Sequence, residues 1–175
     1  MILTRHTILV AALVAGATTL GACAKPPGRI AGTQIPDDPV NRALLERLED
    51  YRLAVERRDA DALVLMASPE YWEDRGTTEA KDDYGFDKLR WVLAGRFQLA
   101  SEIRYSMRYD KIRRVCPGGH NDTIEKGCRA HVEVQIDASY TVNDARGEPR
   151  REDMRDQNEM VLEWSGDQWM FVSGM

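Results

Sequence analysis

Asp156 and Asn158 are the residues whose placement speaks most directly of chemistry. From about Arg150 to Trp164 the sequence alternates with a period of two, and Met154, Met160, Leu162 and Trp164 mark one face as apolar. Asp156 and Asn158 share that parity, so both side chains point with the core unless a bulge intervenes. A carboxylate there is costly to leave unpaired, and desolvation favours its protonated form, which suits a general acid or base. Asp156 is therefore the candidate proton shuttle, and Asn158 the candidate for orienting a ligand by hydrogen bonding. The plainer alternative is that Asp156 pairs with an arginine near the sheet edge or is turned to solvent by a bulge.

Aromatic residues form the second group. Tyr71, Trp72 and Tyr84 crowd one polar, glycine-containing segment, where their rings can line a pocket for an apolar or planar ligand or equally plug the core. Tyr105 is the tyrosine placed to polarise a substrate. Trp91 and Trp169 read as core, because large aromatics dominate burial in a domain of this size. His131 and Glu133 lie on the polar face of one strand, with Arg104 and Arg108 on the matching face of the preceding one. Cross-strand ion pairs on a solvated sheet face account for them more simply than an acid–base pair. No glycine-rich phosphate loop, G-x-S-x-G elbow, H-E-x-x-H helix or C-x-x-C pair occurs in the sequence, and no cofactor is implied.

The elements that position these residues follow from periodicity. Asp38-Pro39 supplies an N-cap and a proline at the first helical position. Val40, Leu44, Leu48, Tyr51 and Val55 then form one apolar stripe on a helix running to about Arg57. Arg58-Asp59-Ala60-Asp61 breaks the stripe and caps a short helix over 62–67, which Ser68-Pro69 ends. Phe86, Leu89, Val92, Leu93 and Phe97 support a third helix, with Trp91 off its main stripe. From Glu102 the period changes to two, with Ile103, Tyr105, Met107 and Tyr109 on one face. Val132 to Val142 alternates in the same way, the strand holding Asp156 follows, and Ser165-Gly166-Asp167 turns into a last strand over 168–173. Three helices followed by four antiparallel strands make an α+β domain.

That order resembles the NTF2-like, or SnoaL-like, superfamily, in which a curved sheet wraps the helices as a cone. The segment Tyr51-Arg52-Leu53-Ala54-Val55-Glu56-Arg57-Arg58-Asp59-Ala60-Asp61-Ala62-Leu63 resembles that superfamily's helix-turn-helix, and Gly166-Asp167-Gln168-Trp169-Met170-Phe171-Val172 its closing hairpin. The resemblance covers about residues 38–175 and carries no catalytic signature. It implies a cone open at one end, with Tyr71, Trp72 and Tyr84 over the mouth. Such a cavity serves as an isomerase, cyclase or dehydratase site, as a ligand pocket, or as packed core, and fold alone does not choose among these. It also implies that the sheet can serve as a homodimer or partner interface.

The N-terminus carries an address. Arg5 and His6 precede an apolar run from Thr7 to Leu20, too short for a membrane-spanning helix and long enough for a signal peptide. Leu20-Gly21-Ala22-Cys23 resembles the lipobox of bacterial lipoproteins. The resemblance implies cleavage after residue 22 and acylation of Cys23, with two or three chains giving stable membrane anchoring. Ala24, where aspartate would imply inner-membrane retention, points to the outer membrane of a Gram-negative host. Residues 23–37, rich in proline and glycine, read as a lipidated flexible tether without fixed structure, and 38–175 as the folded domain.

Removing residues 1–22 takes away only one formal charge, Arg5, which moves the net charge from −5 to −6 and makes nucleic acid a poor partner. With Cys23 assigned to lipid, Cys116 and Cys128 face an oxidising compartment as a pair, and a disulfide follows, worth on the order of 3 kcal/mol for this loop length. A metal site using the thiols with His120 and Asp122 is the disfavoured alternative, since the spacing matches no zinc signature. The reading that results is a lipid-anchored cell-envelope protein whose noncatalytic domain binds a small apolar ligand or an envelope protein. The alternative is an isomerase-type enzyme with Asp156 as proton shuttle.

Overall fold

The computed structural model describes residues 28–74, 80–120 and 123–175. Its first helix, α1 (Pro39–Glu56), begins where the capping signal places it: the Asp38 carboxylate accepts the Asn41 N–H at 2.9 Å. The other Asp38 oxygen meets the Arg114 guanidinium at 3.2 Å, so the cap also ties the helix to the sheet. Leu44, Leu48, Tyr51 and Val55 of the stripe are buried. Arg58, at φ 56°, reverses the chain into α2 (Ala60–Met66), whose cap Asp59 accepts the Ala62 N–H at 2.9 Å. Two short strands, β1 (Trp72–Glu73) and β2 (Tyr84–Gly85), pair antiparallel and lead into α3 (Phe86–Leu99). This small pair is an addition to the expected elements, because two-residue strands leave no periodicity to read.

Four long elements follow: β3 (Ser101–Val115), β4 (Arg129–Asn143), β5 (Pro149–Trp164) and β6 (Trp169–Ser173), hydrogen-bonded in that order into one antiparallel sheet. The α+β architecture expected from the sequence is the one observed. On β3 the step from Tyr109 to Lys111 spans only Val134 to Glu133 on β4. That bulge at Asp110 resets the alternation and returns Ile112 to the core side, opposite Val132. The core lies between the concave sheet face and the helices, with Leu44, Leu48, Leu63, Leu89, Leu162 and Phe171 fully buried. The convex face carries cross-strand pairs, among them His131 with Glu159 at 2.9 Å and Lys111 with Glu133 at 3.2 Å. His131 and Glu133 thus belong to a solvated ion-pair surface.

Three expectations change, and a fourth, at Trp72, changes in the site below. Gly28–Asp37 is not an unstructured spacer: Ile30 and Ile35 pair across a turn, Asp37 donates to the Gly28 carbonyl, and Ile35 is 1% exposed. Burying one isoleucine side chain, worth about 2 kcal/mol, gives this segment a reason to fold that its proline content conceals. Trp91 is not core but 79% exposed, because α3 directs Leu89 and Leu93 inward and a residue midway between them faces away. Trp169 is core, 3% exposed, with its ring 5.5 Å from that of Trp164. The third change, at Asp156, concerns the site below. Cys116 and Cys128 form the expected disulfide at the base of the β3–β4 connection, so neither thiol is available to a metal. Cys23, Ala24 and Asp122 lie outside the described residues.

Candidate functional site

Residues of β1, β2, α3, β5 and the segment after β6 border one cavity at the edge of the cone, its mouth. Ladder register decides which β5 side chains face it. Met154, Asp156, Asn158 and Met160 stand opposite Ala138, Ile136, Val134 and Val132, all core residues, so the parity of Asp156 and Asn158 is as the sequence implies. Burial is not. β6 pairs with β5 only from Val161 to Trp164; Asp156, five residues short of that ladder, is exposed, and it is not among the core residues that include Met160. Its carboxylate accepts the Gln157 N–H at 2.8 Å. The desolvated carboxylate that a proton shuttle calls for is absent at this position, for a tertiary reason: inward parity means burial only where another layer covers the strand.

Asn158 is half-buried and donates its amide to the Gly174 carbonyl at 2.9 Å. Tyr71 is 2% exposed, donates its hydroxyl to Glu73 at 2.8 Å and accepts the Met175 N–H at 3.2 Å. Burial, followed by the charge of Glu73, holds its phenol far above the usual range. Tyr84 is 4% exposed, with its ring 6.3 Å from that of Tyr71 and its hydroxyl at the limit of reach of Arg96, 3.5 Å. Trp72 departs from the expected trio. It is 56% exposed, and its ring lies against Gly85 rather than over a pocket. Tyr84 pairs with Glu73, two residues after Tyr71, so Tyr71 and Tyr84 share one face and alternation sends Trp72 outward.

Tyr105 and Tyr51 meet edge to face inside the cone, 6.1 Å between centroids, and Tyr51 packs on Phe171 at 5.3 Å. Burial pushes the Tyr51 hydroxyl up to about 12 and raises that of Tyr105 further, with Tyr51 and then the Asp156 charge adding to the effect. Both phenols stay protonated donors at any physiological pH. The apolar interior around them is occupied by the chain's own side chains, Leu48, Leu89, Leu93, Ile136 and Phe171 among them. Open volume is found at the margins. A cavity of about 580 Å³ at the mouth is bordered by Glu73, Tyr84, Arg96, Asp156, Asn158 and Gly174. A polar groove of about 850 Å³ runs between α1 and the sheet past Arg52, Tyr105, Asp137 and Met154.

Sequence reasoning missed Glu73, Arg96 and Gly174 at the mouth. Glu73 sits in a strand too short to show a period, and Gly174 shows its role only in the backbone conformation. It missed Glu56 and Arg52 in the groove as well, since on a helix surface both read as solvated charges. Among the described residues no group of three or more His, Cys, Asp or Glu side chains is placed to hold a metal ion, and no helix is long and apolar enough to cross a membrane.

No family model matches the sequence, and no curated protein matches it. Solved structures do resemble it. A ketosteroid isomerase-like protein from Erwinia carotovora atroseptica superposes with a TM-score of 0.56 at 16% identity, covering 79% of this chain and 95% of the other. A candidate dehydratase from the NTF2-like family of Streptomyces avermitilis gives 0.56 at 11% identity, over 77% and 92%. A candidate scytalone dehydratase from Novosphingobium aromaticivorans gives 0.59 at 14%, over 77% and 80%. The fold of this chain is the NTF2-like α+β cone.

Proposed function

We propose that this protein is a lipid-anchored envelope module whose NTF2-like domain holds a partner protein at the open rim of the cone. The observation that carries this reading is the filled interior: where the fold can keep a ligand cavity, Leu48, Tyr51, Leu89, Ile136 and Phe171 belong to one packed core, and the openings at the mouth and beside α1 are lined largely by polar groups. A proton shuttle at Asp156 lacks the desolvation that tunes a carboxylate for that work. A rim bearing Asp156, Glu73 and Arg96 suits polar recognition between proteins, in which charge sets orientation and partner choice.

The anchor in this reading is acylated Cys23. The described residues begin at Gly28, five positions after Cys23, a separation of at most about 18 Å even for an extended chain. The domain therefore works close to the bilayer surface, and its partner is an envelope component. The test is fractionation and co-purification in the native host. Cys23→Ser is expected to move the protein from the membrane to the soluble fraction. Asp156→Arg, a change at an exposed position, is expected to leave folding intact and release a stoichiometric partner from the detergent-solubilised wild-type complex. Membrane association that survives Cys23→Ser, or a rim variant that retains every partner, would overturn the reading.

A further inference from the structure

Tyr71, Glu73 and Asn158 together form a three-point reader of peptide backbone, and the chain's own Gly174–Met175 segment sits in it. Glu73 Oε2 accepts the Gly174 N–H at 2.9 Å. The Tyr71 hydroxyl, itself donating to the same carboxylate oxygen, accepts the next N–H, that of Met175, at 3.2 Å. Asn158 Nδ2 donates to the Gly174 carbonyl at 2.9 Å. Both amide protons and the carbonyl between them are thereby read, and no contact in this set involves a side chain of the segment. The slot is also selective. Gly174 has φ +84°, and a Cβ there would stand 2.3 Å from the Glu159 carbonyl oxygen, so only glycine fits against β5.

β6 ends at Ser173, and beyond it the segment is linked by these three hydrogen bonds and by the packing of Met175 against the core margin. The mouth cavity opens directly beside it, bordered by Ser173 and Gly174 on one side and Asp156 and Arg96 on the other. We propose that this slot is a binding site for an extended, glycine-containing segment of a partner protein, occupied in cis by Gly174–Met175 until the partner displaces it. The inference rests on the partner-binding reading above and names the chemistry of what is bound. Main-chain hydrogen bonds supply the affinity, as in strand addition at a sheet edge, and the glycine-only contact supplies selectivity.

Two measurements decide it. Native-state hydrogen exchange on the wild-type protein is expected to show the Gly174 and Met175 amides exchanging about 100-fold faster than those of Val134 and Leu162, through an opening that leaves the sheet intact. Protection equal to that of Val134 would make the segment an integral part of the fold and overturn the proposal. Second, acetyl-Val-Ser-Gly-Met-amide is titrated into Gly174→Ala, whose own segment cannot seat. Saturable amide shifts at Tyr71, Glu73 and Asn158 are expected, with binding to wild type about tenfold weaker because the cis segment competes. The Val-Ser-Ala-Met analogue is expected to give none. An equal response to both peptides, or none in a folded Gly174→Ala, would overturn the slot. If that variant does not fold, the exchange result on wild type stands as the deciding one. Partner co-purification that persists while the peptide fails to bind would locate the error in the slot and leave the module reading untouched.

Discussion

The Glu56 carboxylate of α1 accepts the backbone N–H of Tyr105 on β3 at 2.9 Å, while Arg52, one turn earlier, donates to the carbonyl of the same residue at 3.1 Å. Strand β3 is an edge of the main sheet, and this pair satisfies its unpartnered backbone with side chains where another strand would otherwise fit. Arg52 also bridges Glu49 and Glu56 at 2.7 Å each, which fixes the helix against the sheet across the polar groove.

Glu56 therefore makes stability depend on pH in a definite direction. The Tyr105 N–H, opposed by partial burial and reinforced by Arg52, holds its carboxyl below the ordinary value of 4.5. A lowered folded value means stability that is present above 4.5 and lost as pH falls through the folded value. Glu56→Ala is expected to lower unfolding free energy at pH 7 by about 1–2 kcal/mol. The difference from wild type should shrink steadily in urea titrations carried out below pH 4.5. A difference that is constant from pH 7 to pH 3 would show that the ionised form is not what the fold favours.

Reduction should act on the disulfide in proportion to the loop it closes. Cys116 and Cys128 are 12 positions apart, which in the chain-entropy account corresponds to about 3 kcal/mol. Cys116→Ala/Cys128→Ala is expected to melt roughly 10 °C lower than the oxidised wild type. Dithiothreitol should lower the wild-type midpoint and leave the double variant unmoved.

Asp156→Leu separates a rim residue from a buried one. With the carboxylate exposed, the substitution should change unfolding free energy by no more than about 0.5 kcal/mol. A midpoint raised by several degrees in thermal unfolding would instead mean that the carboxylate is held against its surroundings, and would restore the proton-shuttle reading. A fall of the same size would mark a structural ion pair.

Two aromatic truncations test the assignment of core and surface. Phe171 is 0% exposed, packs on Tyr51, and its carbonyl oxygen accepts the Ser68 N–H at 2.8 Å. Phe171→Ala is expected to cost about 3–5 kcal/mol through lost burial and the cavity left behind. Trp91, at 79% exposure, should tolerate alanine within about 0.5 kcal/mol. Chemical denaturation of the two variants side by side reads the contrast directly.

Much of this molecule was legible along the chain because the relevant physics is local. The Asp38 cap, the α1 stripe through Leu44, Leu48 and Tyr51, and the period-two runs of β3, β4 and β5 each depend on residues within a few turns or on alternate positions. The order of those elements, helices first and strands after, implied an α+β domain, and its resemblance to the NTF2-like superfamily implied the cone. The cysteine pair was readable by elimination, since the lipobox expectation at Cys23 leaves Cys116 and Cys128 only each other. Even the inward parity of Asp156 and Asn158 followed from alternation alone.

What the chain could not reveal is which faces another layer covers. Asp156 and Met160 have the same parity on one strand, yet Asp156 is exposed and Met160 is fully buried among the core side chains. Trp91 and Trp169 are chemically alike, and only packing sends one to solvent and the other to the core. Ile35 folds inward from a segment whose composition reads as a spacer, and the Tyr71, Glu73 and Asn158 slot joins residues about 100 positions apart around Gly174. Secondary structure is set by neighbours in sequence, whereas burial and recognition are set by neighbours in space, and those exist only once the sheet has closed over the helices.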